Sequence, residues 1–455
     1  MAATSLQIMT SADLRAAVDR VLPSVRADLE ALVRIPSISA DPSRVADVRT
    51  SAERVAELAR GAGAADAEVV SVDGGAPAVI AHWPAPEGAP TVLLYAHHDV
   101  QPTGDVEQWT SPPFEPTERG ARLYGRGTAD DKAGIAIHLA ALRAFDGAPP
   151  VGVIWFIEGE EEIGSPTFRQ FLTSYRDRLA ADVIVVADSA TWTVDVPALT
   201  TSLRGLVDCT VEVRTLQAPV HSGLFGGPVL DALTSLVRLL ATLHDDKGDV
   251  AVPGLVDSAA APIDYTEERF RAEAGVVDGV ELSGTGSIAD RLWTKPSLTV
   301  LAIDSPPVDD VANVLQPVAR AKVSMRLAPG QDAAAAMAAL TRHLEDHAPF
   351  GAQVSVQAGA LGSPSELTTT SPAFRAAAEA HTEAYGANTV QIGIGGSIPF
   401  IADFNELFPD ATVLATGAAD QDAHAHGIDE GLHLSQFAKA CLAEAMVLQR
   451  LADVS

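Results

Sequence analysis

The sequence predicts an α/β protein: a discontinuous domain with a mostly parallel sheet flanked by helices, and an α+β domain inserted into it. Three observations predict this. Four short runs, TVLLYA (91–96), VGVIWFI (151–157), DVIVVA (182–187) and ATVLAT (411–416), are rich in β-branched residues and apolar on both alternating faces. Strands buried on both sides of a parallel sheet read this way. Between the first three runs lie amphipathic stretches of helical length, DDKAGIAIHLAALRAF (131–146) and SPTFRQFLTSYRDRL (165–179), and such alternation argues for layered α/β architecture. The middle third differs. LVDCTVEVRT (206–215), PSLTVLAID (296–304), ARAKVSMRLAP (319–329) and AQVSVQAG (352–359) alternate apolar with polar, as strands with one solvated face do.

Two helical stretches accompany those middle strands, GPVLDALTSLVRLLATLH (227–244) and QDAAAAMAALTRHLEDH (331–347). The pattern of the first domain returns after about residue 365, so the expected organisation is 1–199 and 366–455 for the outer domain and 200–365 for the insertion. Repeats and low-complexity linkers are missing from the sequence; alanine-rich tracts such as AAAAMAAL sit inside helical patterns.

The 455 residues include 60 acidic and 31 basic side chains, a formal net charge of −29. That length exceeds what one hydrophobic core ordinarily supports. The acidity disfavours nucleic acid or an anionic membrane as partner, since both need a basic footprint. Cys209 and Cys441 stand far apart and form neither a metal-type pair nor a disulfide framework, which fits a reducing, cytoplasmic setting. Neither a secretory signal pattern nor an apolar stretch of spanning length is visible.

Polar residues collect at the ends of the four apolar runs. His97-His98-Asp99 follows the first, Glu158-Gly159-Glu160-Glu161-Glu162 the second and Asp188 the third, while the fourth leads to GAADQDAHAHGIDE with His424 and His426. In open α/β sheets, ligands bind outside the carboxyl ends of the strands. Histidine with carboxylate and without cysteine suits Zn, Mn or Co, and so many carboxylates would repel one another without cations. Each residue also has an ordinary structural use: a glutamate run is commonly a solvated loop, and Asp188 fits an N-cap. The conjunction of four strand ends carries the inference. If 97–99 stay extended, His97 and Asp99 share a face and His98 points away, so Asp99 is placed to orient the imidazole. In YGRGTADDKAG (124–134), either Asp130 or Asp131 is available as a bridging ligand, and either fits a helix cap. No Gly-x-Ser-x-Gly elbow follows a strand, which excludes a serine α/β hydrolase.

In order and spacing, YAHHDVQP, YGRGTADDKAG, IEGEEEIGS, VVADS and AHGIDE resemble the motifs of the dinuclear zinc metallopeptidases. That family includes carnosinase-like dipeptidases, bacterial glutamate carboxypeptidase, aminoacylases and succinyl-diaminopimelate desuccinylase. APVHSGLFGGPV and VANVLQPVARAKVSMRLAPG in the insertion resemble its lid-histidine motif and dimerisation strands. The resemblance implies a catalytic domain in two parts, a lid/dimerisation domain between them, and two divalent metal ions, Zn before Mn or Co. His97, Asp130 and Asp188 would bind one ion and Asp130, Glu162 and His426 the other, with Glu161 as general base and Asp99 as the orienting residue. His426 is preferred to His424 because it stands four residues before Glu430, as in the family's pattern. His221 and Asn313 match positions that reach a partner's active site across a homodimer, Arg326 a residue that binds the substrate's terminal carboxylate, and Gly396-Ser397 a nearby substrate loop.

The implied activity is hydrolysis of dipeptides or similar short peptides with a free C-terminal carboxylate; the alternative is an N-acyl amino acid amidohydrolase using the same metal site. Asp188 at the terminal ligand position, HHDVQP and the long insertion are similar to the dipeptidase members. Relatives near carnosinase carry charged residues where this chain has Gly393-Ile394, and a histidine where it reads TTTSPAF (368–374). Both differences fall on the substrate pocket.

Overall fold

The computed structural model describes residues 9–258, 262–309, 311–395 and 399–454. The chain divides into two compact units, one of residues 1–201, 367–392 and 399–455, the other of 202–366 and 393–398. In unit one the four apolar runs are adjacent strands, all parallel, in the spatial order Gly152–Glu158, Thr91–His97, Val183–Val186, Thr412–Ala415. Antiparallel strands extend the sheet: Ala78–Trp83 and Asp66–Val70 on one side, Ala198–Leu203 on the other.

Both faces of these strands are covered, which is why their sequences show no polar side. Val92, Leu94 and Ala96, with Val153, Trp155 and Ile157, pack into one core with the helices Ser11–Val33, Lys132–Ala144 and Leu434–Leu451. Tyr95 and Phe156 point the other way, into an aromatic cluster with Phe168, Phe171, Phe400 and Phe404. Because side chains alternate along a strand, His97 lies on the Tyr95 side, at the strand's carboxyl end.

The two helical stretches differ from their amphipathic reading. In Lys132–Ala144 every residue except Arg143 is buried, because the helix packs against Ser11–Val33 and Leu434–Leu451 as well as the sheet. Its alanines and Gly134 let those neighbours come close, and its one imidazole, His138, is satisfied by Glu444 at 2.7 Å and the Tyr95 carbonyl at 3.1 Å. The stretch 165–179 breaks at Tyr175 into Phe168–Ser174 and Arg176–Leu179.

Unit two contains a four-stranded antiparallel sheet in the order Ser297–Asp304, Val318–Leu327, Gly205–Arg214, Gln353–Gly362. The alternation expected of it is present: Val207, Cys209, Val211 and Val213 join Ala319, Ala321, Val323 and Met325 in a core with the helices Ala232–Ala241 and Ala333–Asp346. The opposite face carries the polar residues. Among the described residues no helix is long and apolar enough to cross a membrane.

The burial of Lys132–Ala144 on all sides has a measurable consequence. Leu139→Ala, at 1% exposure, is expected to cost about 2–5 kcal/mol of stability, read from denaturant unfolding of the metal-free protein. A loss below about 0.5 kcal/mol, the scale of a surface change, would contradict the buried placement.

Candidate metal centre

The parallel strands deliver ligand-type side chains at one edge. His97 is the last residue of Thr91–His97; Glu161 and Glu162 lie on a single 3₁₀ turn beyond Gly152–Glu158; Asp188 is two residues beyond Val183–Val186. His426 comes from the turn after Thr412–Ala415. A Cβ on Gly417 would sit 1.9 Å from the Ser189 carbonyl oxygen, so only glycine lets the fourth strand end pass the loop carrying Asp188.

Asp130 lies between two imidazoles. Its Oδ1 is 3.1 Å from His97 Nε2 and its Oδ2 is 3.0 Å from His426 Nε2. Glu162 Oε2 is 3.2 Å from the same His426 nitrogen, and Glu161 Oε2 is 4.0 Å from His97 Nε2. Ligand atoms of His97, Asp130 and Glu162, and of His97, Glu161 and Asp188, lie within 4.8 Å of one another. Behind His97, Nδ1 faces Asp99, 3.1 Å from its carbonyl and 3.4 Å from Oδ1. The Asp99 carboxylate also accepts the Glu161 and Glu162 backbone N–H groups at 3.2 and 3.1 Å, so it holds a strand end and the glutamate turn together. His98 points away, Nε2 on the Pro77 carbonyl at 2.8 Å.

The structure separates residues that the sequence left equivalent. Asp131 is the helix cap: its Oδ1 accepts from Gly134 N at 3.1 Å and its Oδ2 from His97 N at 3.3 Å. The Asp130–Asp131 peptide is cis. Within the glutamate run, Glu158 is bonded to Tyr95 and Ser165, and Glu160 accepts from Thr167 and Ala76. Only Glu161 and Glu162 turn toward the histidines. His424 lines a surface hollow with Arg119, Arg122 and Asp429.

Glu430 and Arg126 carry a role that the motif spacing did not disclose. Glu430 is fully buried and accepts from Arg126 Nη1 at 2.7 Å and from the backbone N–H groups of Gly127, Ala129 and Asp130 at 2.9–3.1 Å. Arg126 Nη2 donates to the carbonyls of His426 and Gly427 at 3.2 and 3.0 Å. Gly127 has φ +82°, and a Cβ there would meet Val100 at 2.7 Å. The His426 turn is strained: His424, His426 and Asp429 all have positive φ, a conformation costing non-glycine residues about 1–3 kcal/mol each. Asp429 pins it by accepting from Thr110 N at 3.0 Å and pairing with Arg119 at 3.3 Å. The available signal for Arg126 was a lone cation between two glycines; its partner lies 304 positions away.

The charges strain against one another. Burial, then repulsion from Glu161, pushes the Asp188 carboxyl well above its ordinary range. Glu161 rises to about 7, by burial first and then by Glu162, Asp130 and Asp99, with His97 opposing. Burial alone would lower His97, but hydrogen bonds that its ring donates to Asp130 and Asp99 raise it well above its ordinary value. His426 goes to about 10 through Asp130 and Glu162. Glu162 Oε2 is buried without a well-formed hydrogen bond. Two imidazoles drawn into bearing protons, carboxylates pushed toward neutrality and an unsatisfied carboxylate oxygen aimed at the cluster are what a divalent-cation site looks like when protons balance its charge. The donor set, imidazole nitrogen and carboxylate oxygen, fits Zn, Mn or Co.

In unit two, His221 and Asn313 are brought together: His221 pairs with Val314 on a two-strand ladder, and Ser222 N donates to the Asn313 carbonyl at 2.9 Å. Both side chains are exposed. His221 Nδ1 accepts from Gly223 N at 3.0 Å, so a neutral ring carries its proton on Nε2. Arg326 is half-buried on Val318–Leu327, opposite Ser297 and Leu206. Gly396 and Ser397 lie outside the described residues.

An open α/β sheet with histidines and carboxylates gathered at its carboxyl edge is a site suited to divalent cations. Residues 93–450 match the model of "Peptidase family M20/M25/M40", and the chain belongs to that family, as the motif resemblance indicated. It is 36% identical over 367 residues to a cysteinylglycine-S-conjugate dipeptidase of Corynebacterium striatum, covering 79% of this chain and 81% of the relative. To a human Beta-Ala-His dipeptidase it is 29% identical, covering 76% and 72%. The crystal structure of human carnosine dipeptidase 1 matches with TM-score 0.78 at 26% identity, covering 97% of this chain and 99% of that one.

Two outcomes test this geometry. Glu430→Ala strands the buried Arg126 and is expected to cost about 3–5 kcal/mol and to weaken Zn²⁺ binding, measured by denaturant unfolding of the metal-free protein and by competition with a chromogenic chelator. Unchanged affinity would detach Glu430 from the centre. The second outcome concerns His98, which burial lowers from its ordinary 6.5 to about 4. Between those values the unfolded chain takes up a proton that the folded chain refuses, so this contribution to stability is lost as pH falls from about 6.5 toward 4. His98→Gln is expected to flatten that limb of the unfolding midpoint against pH; an unaltered slope would contradict it.

Proposed function

We propose that this protein is a dinuclear metallodipeptidase that hydrolyses the amide bond of dipeptides or similar short peptides with a free C-terminal carboxylate. The observation that carries the reading is Asp130 held between His97 and His426, with Glu162 on one side and the Glu161–Asp188 pair on the other. The two relatives named above are both dipeptidases by name, which favours dipeptides over N-acyl amino acids.

In this reading His97, Asp130 and Asp188 hold one cation and Asp130, Glu162 and His426 the other, with zinc the first choice. Bound there, the cations supply polarisation of the scissile carbonyl and a lowered pKa for the attacking water. Glu161 Oε2 accepts that water's proton and returns it to the leaving amine. Asp99 fixes the His97 ring through Nδ1, leaving Nε2 to the cation. His221 donates its Nε2–H to the developing oxyanion of a partner subunit's centre, a contact worth about 2.7–4 kcal/mol in other enzymes. Asn313 stands beside it. Arg326 grips the substrate's carboxylate as a fork, with Gly396 and Ser397 in the neighbouring substrate loop.

A homodimer through unit two goes with this assignment. Its edge strand Ser297–Asp304 exposes Leu301 at 59%, with Val300 and Ile303 also open, and an open apolar edge favours pairing with a second strand. The two buried thiols, Cys209 and Cys441, agree with a cytoplasmic protein.

The test is hydrolysis of dipeptides, tripeptides and N-acyl amino acids by chelator-stripped protein with Zn²⁺, Mn²⁺ or Co²⁺ restored. Metal-restored cleavage confined to dipeptides is expected. Cleavage of acyl amino acids alone would select the amidohydrolase alternative, and none with any metal would overturn both. Glu161→Ala is expected to lower turnover by at least about 10²-fold with metal content unchanged; loss of metal instead would exchange the roles of Glu161 and Glu162.

A further inference from the structure

The Glu161 carboxylate accepts no hydrogen bond among the described residues and faces His97 Nε2 at 4.0 Å. Glu162, on the same turn, is held separately: its Oε1 accepts from Gln101 N at 3.0 Å and its carbonyl from Gln101 Nε2 at 3.1 Å. The aim of Glu161 therefore depends on the backbone of its turn. On one side Asp99 holds that backbone. On the other the turn closes through Gly164 and Ser165, both left-handed, at φ +85° and +49°. Gly164 N donates to the Glu161 carbonyl at 2.7 Å and Ser165 N to the Glu160 carbonyl at 3.0 Å. Ser165 is not a glycine, and a left-handed residue of that kind persists only where its surroundings over-determine it.

Glu158 supplies that constraint. Ser165 Oγ donates to Glu158 Oε1 at 2.9 Å, and the Tyr95 hydroxyl donates to the same oxygen. The Tyr95 ring is packed in the aromatic cluster, 4.4 Å from Phe400 and 5.9 Å from Phe168 between ring centres. Glu158 thus bridges a packed ring and the far end of the turn. Its carboxyl group is fully buried, and Oε2 accepts no hydrogen bond. The buried Glu160 and Glu430 accept from backbone N–H groups, and Glu430 from Arg126 as well. Glu158 has only the two hydroxyls. A buried carboxyl group with so little to offset its desolvation is less stabilising than an apolar side chain, such as the Phe156 and Ile157 that precede it. What it contributes is position.

We infer that Glu158 is a positioning residue for Glu161, acting through Ser165: it ties the far end of the glutamate turn to Tyr95, so that the Glu161 carboxylate is presented in one orientation. This rests on the dipeptidase reading, in which Glu161 accepts the attacking water's proton. The tie needs an oxygen that accepts from two hydroxyls, not a negative charge, so the glutamine oxygen in the same place serves it too. Misplacing a reacting group by about 1 Å can slow a reaction about 10²-fold, while Glu162 keeps its own ties to Gln101 and Asp99.

The experiment measures kcat, KM and bound metal on one dipeptide for the metal-loaded wild type, Ser165→Ala, Glu158→Ala, the double variant and Glu158→Gln. Ser165→Ala is expected to lower kcat roughly tenfold with KM and metal content unchanged, and Glu158→Ala at least as much. The double variant is expected to lose no more than Glu158→Ala alone, because both changes cut one tie. Glu158→Gln is expected to recover most of the wild-type kcat. Should Glu158→Ala not fold, Ser165→Ala and Glu158→Gln decide. A merely structural role would lower the unfolding midpoint and leave kcat per metal-loaded centre in place. Wild-type kcat in Ser165→Ala, loss of bound metal in step with kcat, or a Glu158→Gln as slow as Ser165→Ala would overturn the inference and leave the dipeptidase reading standing. Cleavage of no dipeptide by the wild type with any metal would overturn that reading and this inference together.

Discussion

Glu430 accepts four hydrogen bonds in a place that water does not reach, and much of the centre hangs on it. Three come from the backbone that carries Asp130; the fourth is from Arg126, whose other nitrogen holds the carbonyls of His426 and Gly427. One buried ion pair thus fixes Asp130 and a histidine facing it, although they lie on segments 296 positions apart in the chain (426 − 130). A buried pair seldom adds net stability over apolar packing, since desolvation of both partners offsets their attraction. Here it gives position: an unpaired carboxylate or guanidinium in that spot would be far costlier than the pair, so the two segments are held in one arrangement.

The same economy of charge runs through the rest of the strand ends. Asp99 neutralises the back of His97 and ties the glutamate turn beside it, while Asp131 caps its helix and holds the His97 backbone. Around this fixed frame, Asp130, Glu161, Glu162 and Asp188 face inward with two imidazoles and lack enough positive charge of their own. The backbone strain at His426 and Asp429 fits this: the left-handed turn is retained because Asp429, Arg126 and Glu430 over-determine it. In unit two, Arg204 is a buried charge that bonds to neutral groups, Ser297 Oγ and the Arg291 carbonyl, and has no ion pair among the described residues.

What could be read directly from the sequence follows from how local each cause is. A strand buried on both faces must be apolar throughout, so the four runs were visible, and the first polar residues beyond them had to lie at one edge once the strands were parallel. Alternation in unit two was visible because one face of its sheet is open. The complete burial of Lys132–Ala144 was not, because helices Ser11–Val33 and Leu434–Leu451 cover its outer side and neither adjoins it in sequence. The choice between Asp130 and Asp131 rests on backbone geometry at a helix start, where both residue types fit equally. Arg126, and the role of Glu430 beyond marking the His426 motif, could not be read because the signal is a partner 304 positions away that only the folded chain reveals.

The central proposal is that Asp130 would hold two cations in common at the ends of four parallel strands. Anomalous diffraction at the zinc edge, from crystals of the zinc-loaded protein, tests it most directly. Two peaks are expected, both in contact with the Asp130 carboxylate, one also reached by His97 and Asp188 and the other by Glu162 and His426. A single peak, or two peaks that do not share Asp130, would contradict the account.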